Sequence, residues 1–198
     1  MKVLTQMKPL RLKGPMPEKQ AAVLVPLCFV KGELSLLYTV RSTNLRTNRG
    51  EVSFPGGMQD KEDESLVQTA LRETEEELGI NANEVEVWGE ANFVGTYSGK
   101  VAVLPIIGFI GDVEVANLKT NPEEVEAVFT MSLQQLCDPN VCRHTQFRTR
   151  SLVLPLFVSP EYKVWGLTAV ITHVFLKALI PDQYTKKLRI LPLVQPKK

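Results

Sequence analysis

The chain has 198 residues, 44% hydrophobic and 23% charged, which fits one globular domain with a sizeable core and contains no apolar run long enough to cross a membrane. Its net charge of +1 is uneven, because residues 1–20 and 181–198 each hold five Lys or Arg and one acid, which leaves thirteen basic and twenty acidic residues between them. We therefore expect neither a membrane partner nor DNA binding, and the acidic middle suits a domain that holds cations.

Residues 1–19 predict a basic tail outside the core. The segment MKVLTQMKPLRLKG has no acid and no apolar h-region, so it is not a secretory signal. A cleaved organelle presequence and a disordered basic tail both fit this composition. Residues 181–198 predict a second basic tail, which gives a folded domain at residues 20–180.

Two strands are predicted at the start of this domain. Residues 21–30 (AAVLVPLCFV) are apolar and rich in β-formers, and residues 34–41 (LSLLYTVR) follow a hairpin-like turn at Gly32. Residues 42–57 are polar, basic and contain glycine, which predicts a loop with a short strand at VSFP.

The clearest predicted helix follows this loop. Ser65 and Gln68 have the spacing of a capping box, and Gly79 fits the C′ position that ends a helix. At 100° per residue, six side chains fall on one stripe that can face a core: Leu66, Val67, Ala70, Leu71, Thr74 and Leu78.

Five further elements are predicted downstream. They are strands at 85–97 and 101–110, a short helix at 131–138, a strand at 151–158 and a buried helix at 166–180. Asn121-Pro122 opens an acidic segment before the short helix. Strands and helices on one core predict an α+β fold, arranged as an α/β/α sandwich.

Three carboxylates of the first helix predict a metal site. Glu73, Glu76 and Glu77 are spaced i, i+3, i+4, so they share one face, which lies beside the apolar stripe. Like charges at the edge of a core repel unless a cation holds them, and Mg²⁺ or Mn²⁺ prefers oxygen ligands. The alternative is a solvated face on which Glu76 pairs with Arg72, four residues earlier.

Residues 57–80 resemble the Nudix box, G-x5-E-x7-R-E-U-x-E-E-x-G-U, in which U is apolar. Glu64 has the expected spacing to Arg72, whereas Asp63 has the expected spacing from Gly57. One residue is therefore inserted in the loop, and either acid can be the glutamate of the box.

This resemblance implies the Nudix fold, with a mixed β-sheet, and metal-dependent hydrolysis of nucleoside diphosphates linked to another moiety. It assigns the metal, Mg²⁺ or Mn²⁺, to Glu73, Glu76, Glu77 and the carbonyl of Gly57. It also implies that Arg72 orients these ligands through Glu64. The general base stays open between Glu76 and Glu124, which lies in the acidic segment after Asn121-Pro122.

Residues 37–57 (LYTVRSTNLRTNRGEVSFPGG) resemble the signature L-L-T-x-R-S/A-x3-R-x3-G-x3-F-P-G-G of coenzyme A diphosphatases within this family. The resemblance implies substrate binding by Arg41, Arg46, Gly56 and Gly57. Two fixed guanidinium groups suit a substrate with an extra phosphate, such as the 3′-phosphate of coenzyme A. The alternative is that these arginines pair with acids such as Glu51.

We therefore expect a metal-dependent hydrolase that splits coenzyme A, and in some forms acyl-coenzyme A, into 3′,5′-ADP and (acyl-)4′-phosphopantetheine. The alternatives are a Nudix hydrolase of ADP-ribose, a dinucleotide or capped RNA, and a catalytically silent nucleotide-binding module. The resemblance covers roughly residues 20–180 and is closest to the mitochondrial members in animals. A mitochondrial location is therefore expected, with the cytosol as the alternative, and a homodimer is compatible with the sequence.

Overall fold

The computed structural model describes residues 17–96, 98–147 and 152–186. The predictions for residues 1–16 and 187–198 of the two tails lie outside the described residues. Tyr184 lies beyond the predicted domain boundary at residue 180, yet it is buried, and its hydroxyl lies 2.8 Å from Nδ1 of His173. The packed part of the chain therefore extends past that boundary.

A mixed β-sheet forms the middle of the fold. In chain order its described strands are β1 (Lys19–Val30), β2 (Glu33–Arg41), β3 (Val52–Ser53), β4 (Gly56–Met58), β5 (Glu86–Glu90), β6 (Val94–Gly95), β7 (Val101–Asp112) and β8 (Val125–Ser132). The main path runs β3-β2-β1-β7-β5, while β4 pairs with β1, β6 with β7 and β8 with β2. The β1–β7 pair is parallel and the other pairs are antiparallel.

Three helices and a second sheet complete the described fold. The helices are α1 (Leu66–Leu78), α2 (Leu133–Cys137) and α3 (Gly166–Leu179), and the antiparallel sheet comprises β9 (Cys142–Phe147), β10 (Leu152–Val158) and β11 (Lys163–Val164). None of the helices in the described ranges has the length and apolar character needed to cross a membrane.

The two faces of the large sheet carry separate cores. Ala22 and Leu24 of β1 pack with Ala70 and Leu78 of α1 on one face, whereas Val25 and Leu27 pack with Phe175 and Leu176 of α3 on the other. Burial on both faces explains why β1 is almost uniformly apolar. The predicted α/β/α sandwich with a mixed sheet is confirmed.

Some of the observed strands differ from the predicted ones. The predicted strand at 85–97 is two short strands, β5 and β6, with residues 91–93 between them. The acidic segment after Asn121-Pro122, for which no strand was predicted, leads into β8 at Val125. This strand is central to the site because it lies antiparallel to β2, which ends at Arg41.

The ends of α1 follow from local hydrogen bonds. The Ser65 hydroxyl accepts from the backbone N–H of Gln68 at 3.2 Å. Only half of the predicted capping box forms, because the Gln68 side chain accepts from the N–H of Glu64 instead of that of Ser65. At the other end Gly79 adopts a φ of +67°, and its N–H donates to Glu75 O at 2.9 Å.

Candidate metal centre

Three carboxylates from two distant parts of the chain converge. Glu73 and Glu77 lie one turn apart on α1, and Glu124 lies immediately before β8. Each offers a carboxylate oxygen within 4.8 Å of the others. The third carboxylate arrives through the sheet, since the N–H of Ser42, next to the end of β2, donates to the Glu124 carbonyl at 2.8 Å.

The described residues compensate the charge of this cluster only in part. Burial raises the pKa of Glu77 to about 8; Arg41 opposes this shift, while Glu73 and Glu124 add to it. Burial also raises the pKa of Glu73, against the effect of Arg72. Oε2 of Glu77 is buried and has no hydrogen-bond partner in the part of the chain that the structure describes. A buried acceptor left in this way is costly unless a cation approaches it.

The double glycine lets the backbone of β4 approach both β1 and the cluster. A Cβ on Gly57 would lie 2.3 Å from Oε1 of Glu73, and a Cβ on Gly56 would lie 2.2 Å from the carbonyl oxygen of Ala22. Gly56 also has a φ of +150°, which favours glycine. The carboxylate of Glu73 therefore rests against the Gly57 backbone, and ligation by the Gly57 carbonyl stays a prediction.

The donor set fits a hard divalent cation. All three groups are carboxylates, one of their oxygens is buried without a partner, and no thiol or imidazole belongs to the group. Mg²⁺ and Mn²⁺ favour such all-oxygen sites and keep coordination positions for water or a substrate phosphate.

Arg72 pairs with acids on α1 and in the loop before it. Its Nε and Nη2 donate to the two carboxylate oxygens of Asp63, each at 3.0 Å. Its Nη1 lies 3.1 Å from Oε1 of Glu73 and 3.2 Å from Oε2 of Glu76. The Arg72 guanidinium holds the pKa of the Asp63 carboxyl well below its usual range. Arg72 thus links a fully paired carboxylate to one carboxylate of the cluster.

The prediction that Arg72 acts through Glu64 is wrong, and the alternative, Asp63, is its partner. Glu64 is exposed, whereas Asp63 is 8% exposed. Asp63 also accepts from the hydroxyl of Thr69 at 2.9 Å and from the N–H of Asp60 at 3.0 Å. These donors fix Asp63 before the helix begins, so the inserted residue falls between Asp63 and Arg72.

Glu76 is the member of the predicted ligand set that the structure does not bring into the cluster. Both of its carboxylate oxygens accept from Nη1 of Arg72, at 3.3 and 3.2 Å, and its side chain is half exposed. This i,i+4 pair with Arg72 was the alternative to metal binding that the sequence left open for Glu76.

The two predicted substrate arginines occupy different positions. Arg41, the last residue of β2, lies near enough to Glu77 to lower its pKa, and its Nε is buried without a partner among the described residues. Its side chain makes no ion pair with Glu51, because within the described ranges every ion pair involves Arg72. Arg46 is exposed on the loop between β2 and β3.

Sequence reasoning missed two parts of this arrangement. Nothing in the spacing of a single sequence marks Thr69 as a partner of Asp63. Glu124 was expected either to reach the metals or to supply the base, but its convergence with Glu73 and Glu77 depends on β8, which was not predicted. The Asn121-Pro122 turn and the acids after it drew attention to this segment, but they did not predict the strand.

Comparison with known proteins gives one family. The NUDIX domain model matches residues 18–151. The chain is similar to "Mitochondrial coenzyme A diphosphatase NUDT8" of Mus musculus (44% identity, 86% of this chain, 82% of that protein) and of Homo sapiens (43%, 85% and 72%). It is also similar to "Nudix hydrolase 3" of Caenorhabditis elegans, at 41% identity over 82% of this chain and 74% of that protein.

Solved structures support the same fold. A Nudix hydrolase from M. smegmatis, RenU, aligns with a TM-score of 0.50 and 19% identity over 64% of this chain and 84% of that chain. A MutT/nudix family protein from Enterococcus faecalis aligns with a TM-score of 0.50 and 16% identity over 86% of this chain and 64% of that chain.

Proposed function

The chain belongs to the Nudix family of hydrolases, and on that premise we propose that it is a divalent-metal-dependent coenzyme A diphosphatase. The reaction consumes one water and breaks one P–O bond of the diphosphate. The products from coenzyme A are 3′,5′-ADP and 4′-phosphopantetheine, and acyl-coenzyme A gives the acylated pantetheine product.

The observation that carries this proposal is the position of Arg41. It belongs to the segment at residues 37–57 that resembles the coenzyme A diphosphatase signature, and it lies beside Glu77 of the carboxylate cluster. An arginine with a buried, unpartnered Nε next to a metal centre is well placed to bind a phosphate of the substrate. The names of relatives at 43–44% identity support the same substrate.

Nudix hydrolases are metal-dependent, and we propose that Glu73, Glu77 and Glu124 hold Mg²⁺ or Mn²⁺ here. When bound, such an ion neutralises the diphosphate and makes water a better nucleophile. Arg72 positions Glu73 through the 3.1 Å contact between Nη1 and Oε1, and Asp63 in turn fixes Arg72. The backbone of Gly57 limits the other side of Glu73.

Of the two candidates for the general base, Glu124 fits the geometry better. Both oxygens of Glu76 accept hydrogen bonds from Arg72, so each already has a donor and neither is open to a proton from water. Glu124 is partly exposed, and a carboxylate that binds a metal through one oxygen keeps the second oxygen to accept a proton from water.

The substrate's extra phosphate gives Arg46 a role. Arg46 lies on the exposed loop that connects Arg41 to β3, so a phosphate at the edge of the site can reach it from solvent. We assign the 3′-phosphate of coenzyme A to Arg46 and the diphosphate to Arg41. This division follows from burial, since Arg41 lies at the cluster and Arg46 does not.

Location and assembly extend the proposal. Two relatives are named as mitochondrial proteins, and residues 1–20 are basic, so we propose that this chain also acts in mitochondria. Fractionation of cells that express the full chain tests this location against the cytosol. A homodimer stays a prediction, which light scattering on the purified protein tests.

The decisive experiment is product analysis by mass spectrometry. The purified chain is incubated separately with coenzyme A, ADP-ribose, a diadenosine polyphosphate and capped RNA, each with Mg²⁺ or Mn²⁺. We expect 3′,5′-ADP from coenzyme A as the product of the fastest reaction. Absence of 3′,5′-ADP alongside rapid hydrolysis of ADP-ribose, a dinucleotide or capped RNA would contradict the proposed substrate.

A silent nucleotide-binding module is the other outcome. Binding of coenzyme A without hydrolysis of any of the four compounds in either metal would support it. The intact group of Glu73, Glu77 and Glu124 argues against this outcome, because a binding module has no need of a buried carboxylate with one oxygen left without a partner among the described residues.

A further inference from the structure

The segment at residues 119–124, here called the docking segment, lies against the end of α1 and leads into β8. The N–H of Asn121 donates to the carbonyl of Glu77 at 3.0 Å, and the Asn121 carbonyl accepts from the N–H groups of Glu124 and Val125, at 3.1 and 2.8 Å. On its other side the Glu124 carbonyl accepts from the N–H of Ser42 at 2.8 Å. Glu124 is therefore held between α1 and β2 through its backbone.

The side chain of Asn121 stabilises the turn in the docking segment. Its Oδ1 accepts from the N–H of Glu123 at 3.1 Å, which is the hydrogen bond of an Asx turn. Pro122 follows Asn121 and restricts φ inside the turn. One residue thus contacts the backbone of Glu77 and also shapes the turn that presents Glu124.

Gly79 provides the surface on which the docking segment rests. Its φ of +67° favours glycine, and a Cβ at this position would lie 2.9 Å from Cβ of Lys119 and 3.0 Å from the Lys119 carbonyl oxygen. Because Cβ of Lys119 moves with its backbone, relief of this contact requires residue 119 or the end of α1 to shift. At other glycines with similar φ, such as Gly32 and Gly99, an added Cβ would have nothing within 4 Å.

We propose that Asn121 and Gly79 are positioning residues of the metal centre, because they dock residues 119–124 on α1 and so bring Glu124 to Glu73 and Glu77. This inference rests on the proposed metal site. Three carboxylates repel one another before a cation binds, so hydrogen bonds and close backbone packing must hold the third carboxylate in place. If the docking segment is displaced, Glu124 moves away, and two ligands are left on α1.

The test compares two glycine variants with the same backbone penalty. Gly79→Ala and Gly99→Ala both place a side chain at a φ near +67°, but only Gly79→Ala pushes against Lys119. Mn²⁺ binding is measured without substrate, from the electron paramagnetic resonance signal of the free ion. We expect Gly79→Ala to raise the Kd for Mn²⁺ by about 10–100-fold, the range for groups that orient metal ligands, while Gly99→Ala stays within about twofold of wild type.

A pair of Asn121 variants tests the turn itself. Asn121→Ala removes the Oδ1 acceptor and is expected to raise the Kd for Mn²⁺ by about tenfold. Asn121→Ser keeps a hydroxyl that can accept from the N–H of Glu123, so it is expected to recover most of this loss without adding charge. The KM for coenzyme A should change less than kcat in both variants, because the substrate arginines are untouched.

Equal Mn²⁺ affinity in Gly79→Ala and Gly99→Ala would overturn the role of Gly79, and equal affinity in Asn121→Ala and Asn121→Ser would overturn that of Asn121. If Gly79→Ala does not fold, the Asn121 pair decides. Failure of the proposed function gives a different result: the wild-type chain would bind Mn²⁺ and respond to these variants, yet leave coenzyme A intact.

Discussion

Asp63 and Glu77 are both buried carboxylates, 8% and 3% exposed, but they lie in opposite electrostatic environments. Asp63 accepts from Arg72, Thr69 and the backbone of Asp60, and its pKa is held well below the usual range. Glu77 has a buried oxygen with no partner among the described residues and a pKa raised to about 8. The cation that pairs with Asp63 is the Arg72 guanidinium of the chain itself, whereas Glu77 is suited to a metal cation bound from solution.

This difference separates an acid that pairs within the chain, just before α1, from an acid of the proposed metal site on α1. Removing a carboxylate should have effects of opposite sign on the two sides, because one side loses a partner for Arg72 and the other loses an uncompensated charge. Activity and metal-free stability therefore test the comparison independently.

The largest expected effect is on activity at the cluster. Glu77→Gln should lower kcat/KM for coenzyme A by more than about 100-fold, beyond the range for groups that only orient metal ligands. Glu76→Gln should cost less, since Glu76 pairs with Arg72, and Glu75→Gln, on an exposed residue, should match wild type. Steady-state kinetics at saturating Mn²⁺ gives the order. Equal losses for Glu76→Gln and Glu77→Gln would place Glu76 among the ligands.

The next effect is on stability at the paired side. Asp63→Asn should lower the free energy of unfolding by about 1.5–3 kcal/mol, because it removes a charged acceptor from the Arg72 guanidinium, which keeps Glu73 and Glu76. Urea unfolding in EDTA measures this loss. Glu64→Gln is the matched control, and its stability should stay within about 0.5 kcal/mol of wild type, since Glu64 is exposed. A greater loss of unfolding free energy in Glu64→Gln than in Asp63→Asn would show that Glu64, not Asp63, is the partner of Arg72.

The pH dependence of metal-free stability is the third test. The folded protein holds the Glu77 proton more tightly than the unfolded chain, because the pKa is about 8 instead of 4.5. The contribution of Glu77 is fully present below about pH 4.5 and is lost as the pH rises through about 8. In EDTA, wild type should therefore lose stability relative to Glu77→Gln between about pH 5 and pH 8 and no further above that, as measured by urea unfolding. A constant difference between the two proteins would contradict the raised pKa.

The smallest expected effect concerns the substrate's extra phosphate. Arg46→Gln should lower kcat/KM for coenzyme A by about tenfold, the low end for a charged hydrogen bond because Arg46 is exposed. Dephospho-coenzyme A lacks the 3′-phosphate, so its kcat/KM should change little in the same variant. Equal losses of kcat/KM with both substrates would contradict the assignment of the 3′-phosphate to Arg46.

The helix and its charge could be predicted from sequence, but which of its acids pair with Arg72 and which join the carboxylate cluster could not. Spacing of i, i+3, i+4 places Glu73, Glu76 and Glu77 on one face, and it does not say which of them a neighbouring arginine takes. That choice depends on the Gly57 backbone, which lies against Glu73, and on Asp63, which fixes the Arg72 guanidinium.

The third member of the cluster depends on long-range pairing. Glu124 lies far from α1 in sequence and joins it only because β8 pairs with β2 and Asn121 bonds to the end of α1. Strand β8 begins with a single acid among apolar residues directly after the Asn121-Pro122 turn, a pattern too short to distinguish a strand from a helix. Local patterns therefore predicted α1 with its caps, while tertiary contacts completed the site.

The most direct measurement of the central claim is anomalous diffraction from crystals of the protein soaked with Mn²⁺. We predict an anomalous peak ligated by carboxylate oxygens of Glu73, Glu77 and Glu124, with Asp63 still bound to Arg72. Absence of a peak at this group, or a peak ligated by Glu76 with Glu124 out of contact, would contradict the account.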